Sequence, residues 1–196
     1  MPSLRVELDG ARVTTISLAG MSVIDVSVHG ALDREPKAVL DAMGGDYSAG
    51  GGGLLIWVAE QPLRAGQALT VTLLEACEQP DRGKTSQELF PDEEPCTETD
   101  FTINEEMAAE IRARPRLHQS FSAQASTSQG QQAMAASDEH NSSFTFGVFW
   151  DFASPHLARV RLTTHCLDDT LARRAGSSHL EAILSLGDSA SFVLTD

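Results

Sequence analysis

Two short segments gather the side chains from which metal and acid–base centres are built. THCLDD places His165, Cys166, Asp168 and Asp169 within five residues, and SDEH sets Asp138, Glu139 and His140 side by side. Imidazole, thiolate and carboxylate all ligate divalent metals, but a specific site shows itself by spacing, as in H-E-x-x-H, C-x-x-C or the EF-hand loop. Neither segment has such a spacing, so no metal and no cofactor are expected. His165 next to Cys166 puts a thiol beside a base in the text alone. Chain neighbours in a strand point to opposite faces, so Cys166 is expected to face the core as a small apolar residue.

Nucleophile motifs fare no better. AGSSH, Ala175 to His179, lacks the second glycine of a G-x-S-x-G elbow, and its Ser178 reads as a helix cap with Glu181 three residues on. The facing carboxylates of a glycosidase have no sequence spacing by which to find them. No catalytic residue is assigned.

GGDYSAGGGG, Gly44 to Gly53, raises the question of a phosphate cradle. A P-loop needs strand, glycines and helix in that order, with a lysine that reaches the phosphate. Here the lysine is missing, a helix-like segment precedes, and the apolar run LLIWV follows. A hinge-like connector leading into a doubly buried strand is the expectation.

Charge carries more information. The 196 residues hold 28 acids and 14 bases, a net charge of -14. Eleven of those acids and two of the bases fall between residues 77 and 110. Duplex nucleic acid is a poor partner for such a field, whereas a basic protein is a good one. Within this stretch Asp92, Glu93, Glu94, Glu98, Asp100, Glu105, Glu106 and Glu110 are interleaved with Leu89, Phe90 and Phe101. Apolar anchors inside a charged rim are what protein interfaces use. Leu89, Phe90, Asp92, Glu93, Glu94, Glu98, Asp100, Phe101, Glu105 and Glu106 are the candidate partner-binding residues.

The elements that must position these groups are mostly strands. LRVEL, a turn at Asp9-Gly10 and a return strand carrying Ile16 and Leu18 open the chain, and a third strand sets Ile24, Val26 and Val28 against Asp25, Ser27 and His29. Such alternation predicts an antiparallel meander with one face in water. PKAVLDAMGG reads as a two-turn helix from Pro36 to a stop at Gly44-Gly45. ALTVTLL, FTFGVFWDF, LARVRLTTH and SFVLT read as further strands, with Phe144, Phe146, Val148, Trp150 and Phe152 on one face of the second. Phe121, Ala123 and Ala125 read as a short edge strand. Helices are expected after a Thr102–Glu105 capping box, after Asp168, and after Ser178. The fold class is therefore mainly β, an antiparallel sandwich or barrel-like sheet with two or three short helices. One domain over 1–196 carries an acidic loop-helix insertion at about 77–118 and a polar flexible loop at about 126–143.

No apolar segment approaches the roughly 20 residues of a membrane span, and MPSLRVELDG has no apolar signal region. Cys77, Cys96 and Cys166 are too few for a disulfide scaffold, with Cys77 and Cys96 the pair to bridge in an oxidising compartment. These features predict a soluble cytoplasmic protein. The functional expectation is a non-enzymatic binding protein with a basic protein partner, such as an immunity protein against a bacterial toxin or an effector-associated chaperone. A metal-assisted hydrolase or sugar-acting enzyme using His140, His165 or Asp168 is one alternative. A structural subunit of a phage or secretion assembly is the other.

Overall fold

A computed structural model of the chain describes residues 2–48, 52–92, 104–172 and 174–195. Asp9 and Gly10 both take left-handed backbone, at φ 52° and 76°, the geometry that matches the twist of a tight hairpin. They join β1 (Ser3–Leu8) to β2 (Ala11–Ser17) as expected. The chain then leaves this sheet. β3 (Val23–Ala31), β4 (Ala38–Asp46) and β5 (Gly53–Leu63) build a second sheet, and β6 (Ala68–Leu74) returns to the first. The opening strands are thus no single meander.

Two short helices follow, α1 (Ser86–Leu89) and α2 (Glu105–Ala113). β7 (Ser122–Thr127) and β8 (Gln132–Ala136) form a hairpin in the first sheet, and β9 (Ser143–Asp151) and β10 (Leu157–His165) a hairpin in the second. After α3 (Leu167–Leu171), β11 (Ser177–Ser185) ends in the second sheet and β12 (Ser189–Leu194) in the first. The architecture is a β-sandwich of two six-stranded antiparallel sheets, ordered β2-β1-β6-β12-β7-β8 and β11-β10-β9-β3-β4-β5.

The inward rows of the two sheets make one core. Leu4, Val6, Leu69, Val71, Leu73, Ala123, Ala125 and Phe192 face Ile24, Val26, Val28, Phe144, Phe146, Val148, Val160 and Leu162, all fully buried. Rings from both sides meet at its centre. Phe192 stacks on Phe146 at 5.1 Å and on Phe144 at 5.7 Å, and Phe144 meets Phe121 at 4.8 Å. Phe152 lies past the end of β9 and is exposed, so it leaves the row the sequence placed it in.

Four local expectations are corrected. PKAVLDAMGG is no helix: residues 38–46 are β4, between β3 and β5. Its inner face is Ala38, Leu40 and Ala42, and the apolar Val39 and Met43 on the outer face hid the alternation. Gly44 and Gly45 are therefore strand residues and not a helix stop. A Cβ on Gly44 would lie 2.3 Å from the Val23 carbonyl oxygen, and one on Gly45 2.0 Å from that of Gly53.

LLIWV is not buried on both faces, because β5 is an edge strand; Leu54 is exposed and Val58 is the only buried member of the run. The run is apolar for a different reason. Residues 81–84 lie along it, with Gly83 against Leu55 and the Trp57 ring, and Lys84 bridged backbone to backbone with Ile56. Farther along, β5 bulges at Glu60, whose φ is 44°, and the Asp41 carboxylate accepts the freed Glu60 N–H at 2.8 Å. Pro62 follows.

Residues 177–185, read as a helix behind Ser178, are β11. Leu180, Ala182 and Leu184 point inward while Ile183 is exposed, the two-residue period of a strand and not of a helix. Finally, β7 is not an edge: residues 132–136 of the polar stretch pair with it as β8.

Candidate functional site

The acidic segment begins as a structured strap. Asp81 accepts the Thr15 N–H at 2.7 Å through its carboxylate and the Trp57 indole N–H at 3.0 Å through its carbonyl. Thr85 and Glu88 then form a full capping box for α1, a T-x-x-E signature that the sequence reading passed over. Leu89 ends that helix half-buried, and Phe90 and Asp92 follow it exposed. Glu93, Glu94, Glu98, Asp100 and Phe101 lie outside the described residues, as does Thr102. Beyond them α2 is capped by Asn104, whose side-chain oxygen accepts the Met107 N–H at 2.8 Å. Glu105 and Glu106 stand exposed in its first turn, where the helix dipole favours acids. Arg112 at its far end pairs with Asp168 at 3.2 Å.

The two ligand-rich segments resolve into local turns. Asp138 accepts the N–H groups of both His140 and Asn141, at 2.7 and 2.6 Å, and these bonds hold its carboxyl below the usual range. Cys166 is not a core residue. It is half-buried at the start of α3, where its sulfur accepts the Asp169 N–H at 3.3 Å and its thiol donates to the Asp169 carboxylate at 3.1 Å. It thus does for α3 what the sequence reading gave to Asp168. Among the described residues no three His, Cys, Asp or Glu side chains converge as a metal-donor set.

A concavity lies elsewhere, on the solvent face of the second sheet. A cleft of about 540 Å³ is lined by Asp25 on β3, Thr145, Gly147 and Phe149 on β9, Arg161 and His165 on β10 and Glu181 on β11, with Gly176 on its rim. Gly147 is its floor. It pairs with Arg161 on one side and Ser27 on the other, and a Cβ there would meet nothing closer than an Asp25 oxygen at 3.8 Å.

Hydrogen bonds order the β3 wall. Ser27 donates to Asp25 at 2.7 Å, so its oxygen accepts from His29 Nε2 at 3.0 Å, and His29 Nδ1 lies 3.3 Å from the Thr145 hydroxyl. Burial raises the Asp25 carboxyl above its ordinary range; Ser27 and His29 oppose the rise and Asp41 adds to it. On the β10 wall Thr163 donates to the Thr145 carbonyl at 3.4 Å and accepts from His165 Nε2 at 2.8 Å. Burial lowers the His165 imidazole, as does nearby His29, against the pull of Asp169.

Arg159 is committed to Asp151 at 2.8 Å and lies over the Phe149 ring at 6.0 Å. Arg161, among the described residues, makes no ion pair or side-chain hydrogen bond. Asp25, Ser27 and His29 are expected on the outward face from the sequence, but strand order alone brings β3, β9 and β10 together. Comparison with models of protein families, with curated proteins and with solved structures finds no match to this chain.

Proposed function

We propose that this chain is a non-enzymatic binding protein whose acidic surface engages a basic protein partner, in the manner of an immunity protein or an effector-associated chaperone. One observation carries the reading: the strap fixed by Asp81 delivers an exposed Phe90 and exposed Asp92 to the sandwich edge, at the start of the most acidic stretch of the sequence. An aromatic anchor beside a charged rim supplies contact area and steering together. No described helix is long and apolar enough to cross a membrane, and a cytoplasmic site of action goes with the reading.

In-cell cross-linking from Glu93, Glu94 and Glu98 identifies the partner, and stopped-flow association with the purified partner tests the contact. Reversing those three glutamates to lysine is expected to slow association by at least about tenfold at low salt and to flatten its salt dependence, and Phe90→Ala to speed dissociation. A cross-linked partner that is acidic, or association rates indifferent to the reversal, overturns the reading.

A further inference from the structure

The cleft over Gly147 has two poles of opposite charge. Asp25, with Asp41 behind it on β4, forms one, and Arg161 on β10 forms the other. In register, Arg161 faces Gly147, Gly147 faces Ser27, and Asp25 lies two residues along β3. With strands about 4.8 Å apart and a rise of about 3.3 Å per residue, the two backbone positions are about 12 Å apart. Among the described residues no ion pair joins them; His29 lies near Asp25 and Glu181 stands across from Arg161 on β11, but neither pole is in a salt bridge. Two opposite charges left unpaired on the walls of one cleft, with a glycine floor between them, make a receptor for a molecule that carries both complements.

We propose that this cleft binds a small zwitterion of the amino-carboxylate class, its carboxylate on Arg161 and its ammonium on Asp25. A planar guanidinium outside any salt bridge is suited to a carboxylate, which it holds through two parallel N–H donors. Ser27 occupies one Asp25 oxygen, and the other, the one nearest the Gly147 floor, is free for an ammonium. Chemistry of a single sign fits poorly. A phosphate dianion on Arg161 would face Asp25 and Glu181 in a chain of net charge -14, and a simple cation on Asp25 would face Arg161. The volume of about 540 Å³ is of small-ligand size. This site is separate from the acidic strap and stands without the partner reading above.

Calorimetric titration of the full chain with glycine, 4-aminobutyrate and 6-aminohexanoate, against hexanoate and hexylammonium, tests it. One of the double-ended compounds is expected to bind on the order of tenfold tighter than either single-ended one, the gain of a second charge-assisted contact. Arg161→Gln should reduce its affinity to that of hexylammonium, Asp25→Asn to that of hexanoate, and Gly147→Val should abolish both. Amide shifts in the unaltered protein should centre on Thr145, Gly147 and Thr163, which keeps the test independent of any variant that fails to fold. Absence of saturable binding by the whole series, double-ended compounds no tighter than single-ended ones, or amide shifts elsewhere on the molecule would each overturn the proposal.

Discussion

The Asp81 carboxylate accepts the backbone N–H of Thr15 at 2.7 Å and the Thr14 hydroxyl at 3.2 Å, so a loop residue supplies the partner that the outer edge of β2 lacks. Through its own carbonyl the same residue holds Trp57 on β5, and one loop position thereby ties the edges of both sheets. Asp81→Ala is expected to cost about 1–3 kcal/mol, the usual loss when a charged acceptor is removed from a backbone donor. Urea unfolding measures it; the Trp57 indole keeps its acceptor, the backbone carbonyl of residue 81, so the loss reports the carboxylate alone. An unchanged midpoint would show that the strap adds nothing to stability.

Phe192 is the ring through which the first sheet meets both Phe144 and Phe146 of the second. Truncating a fully buried aromatic removes its transfer free energy and leaves a cavity, so Phe192→Ala should destabilise by about 3–5 kcal/mol. Phe152→Ala, at an exposed position, should stay within about 0.5 kcal/mol of the parent protein.

The glycine-rich stretch divides by the same kind of measurement. Gly44→Ala forces a methyl against the Val23 carbonyl and should cost about 1–3 kcal/mol. Gly52→Ala meets open space, since no atom lies within 4 Å of the new Cβ. Its effect should be small, within about 0.5 kcal/mol. Equal losses at the two positions would contradict the strand assignment of Gly44.

Two groups of the cleft give opposite slopes of stability with pH. Burial raises Asp25 above 3.8 in the folded protein, so the fold holds that proton longer than the unfolded chain does. Stability then falls as pH rises from 3.8 through the folded value. Asp25→Asn should therefore stabilise near neutral pH and have little effect near pH 3. His165 runs the other way: burial depresses it below 6.5, and stability is lost as pH falls from there through the folded value. NMR titration of both side chains, with unfolding measured across the range, checks the signs.

The sequence was most legible where one face of a strand is apolar and the other polar. β3 was read with its inward row correct, and β9 as far as Trp150, because burial on one side imposes a two-residue period whatever the partner strand. It was least legible where both faces are covered or carry apolar groups. β4 has Val39 and Met43 opposite Leu40 and Ala42, and such a run fits a helix equally well. In β11, Ser178 does donate to Glu181 at 3.2 Å, the pair that suggested a cap, but between strand residues three apart, across the register shift of β11. The cleft was beyond reach for another reason. Asp25, Gly147 and Arg161 lie over a hundred positions apart at the extremes, and only the β3-β9-β10 order makes them neighbours.

Edge strands invite trouble, because a row of unpaired backbone groups can template the addition of another chain. On β5 the strap bridges Ile56 near the middle, the bulge at Glu60 breaks the ladder, and Pro62 has no N–H to offer. The sandwich therefore presents a border already interrupted at three points, ill suited to growing sheet upon sheet into fibres. Proteolytic nicking of residues 81–84 would remove the first of these guards, and the nicked protein should self-associate where the intact chain stays dispersed.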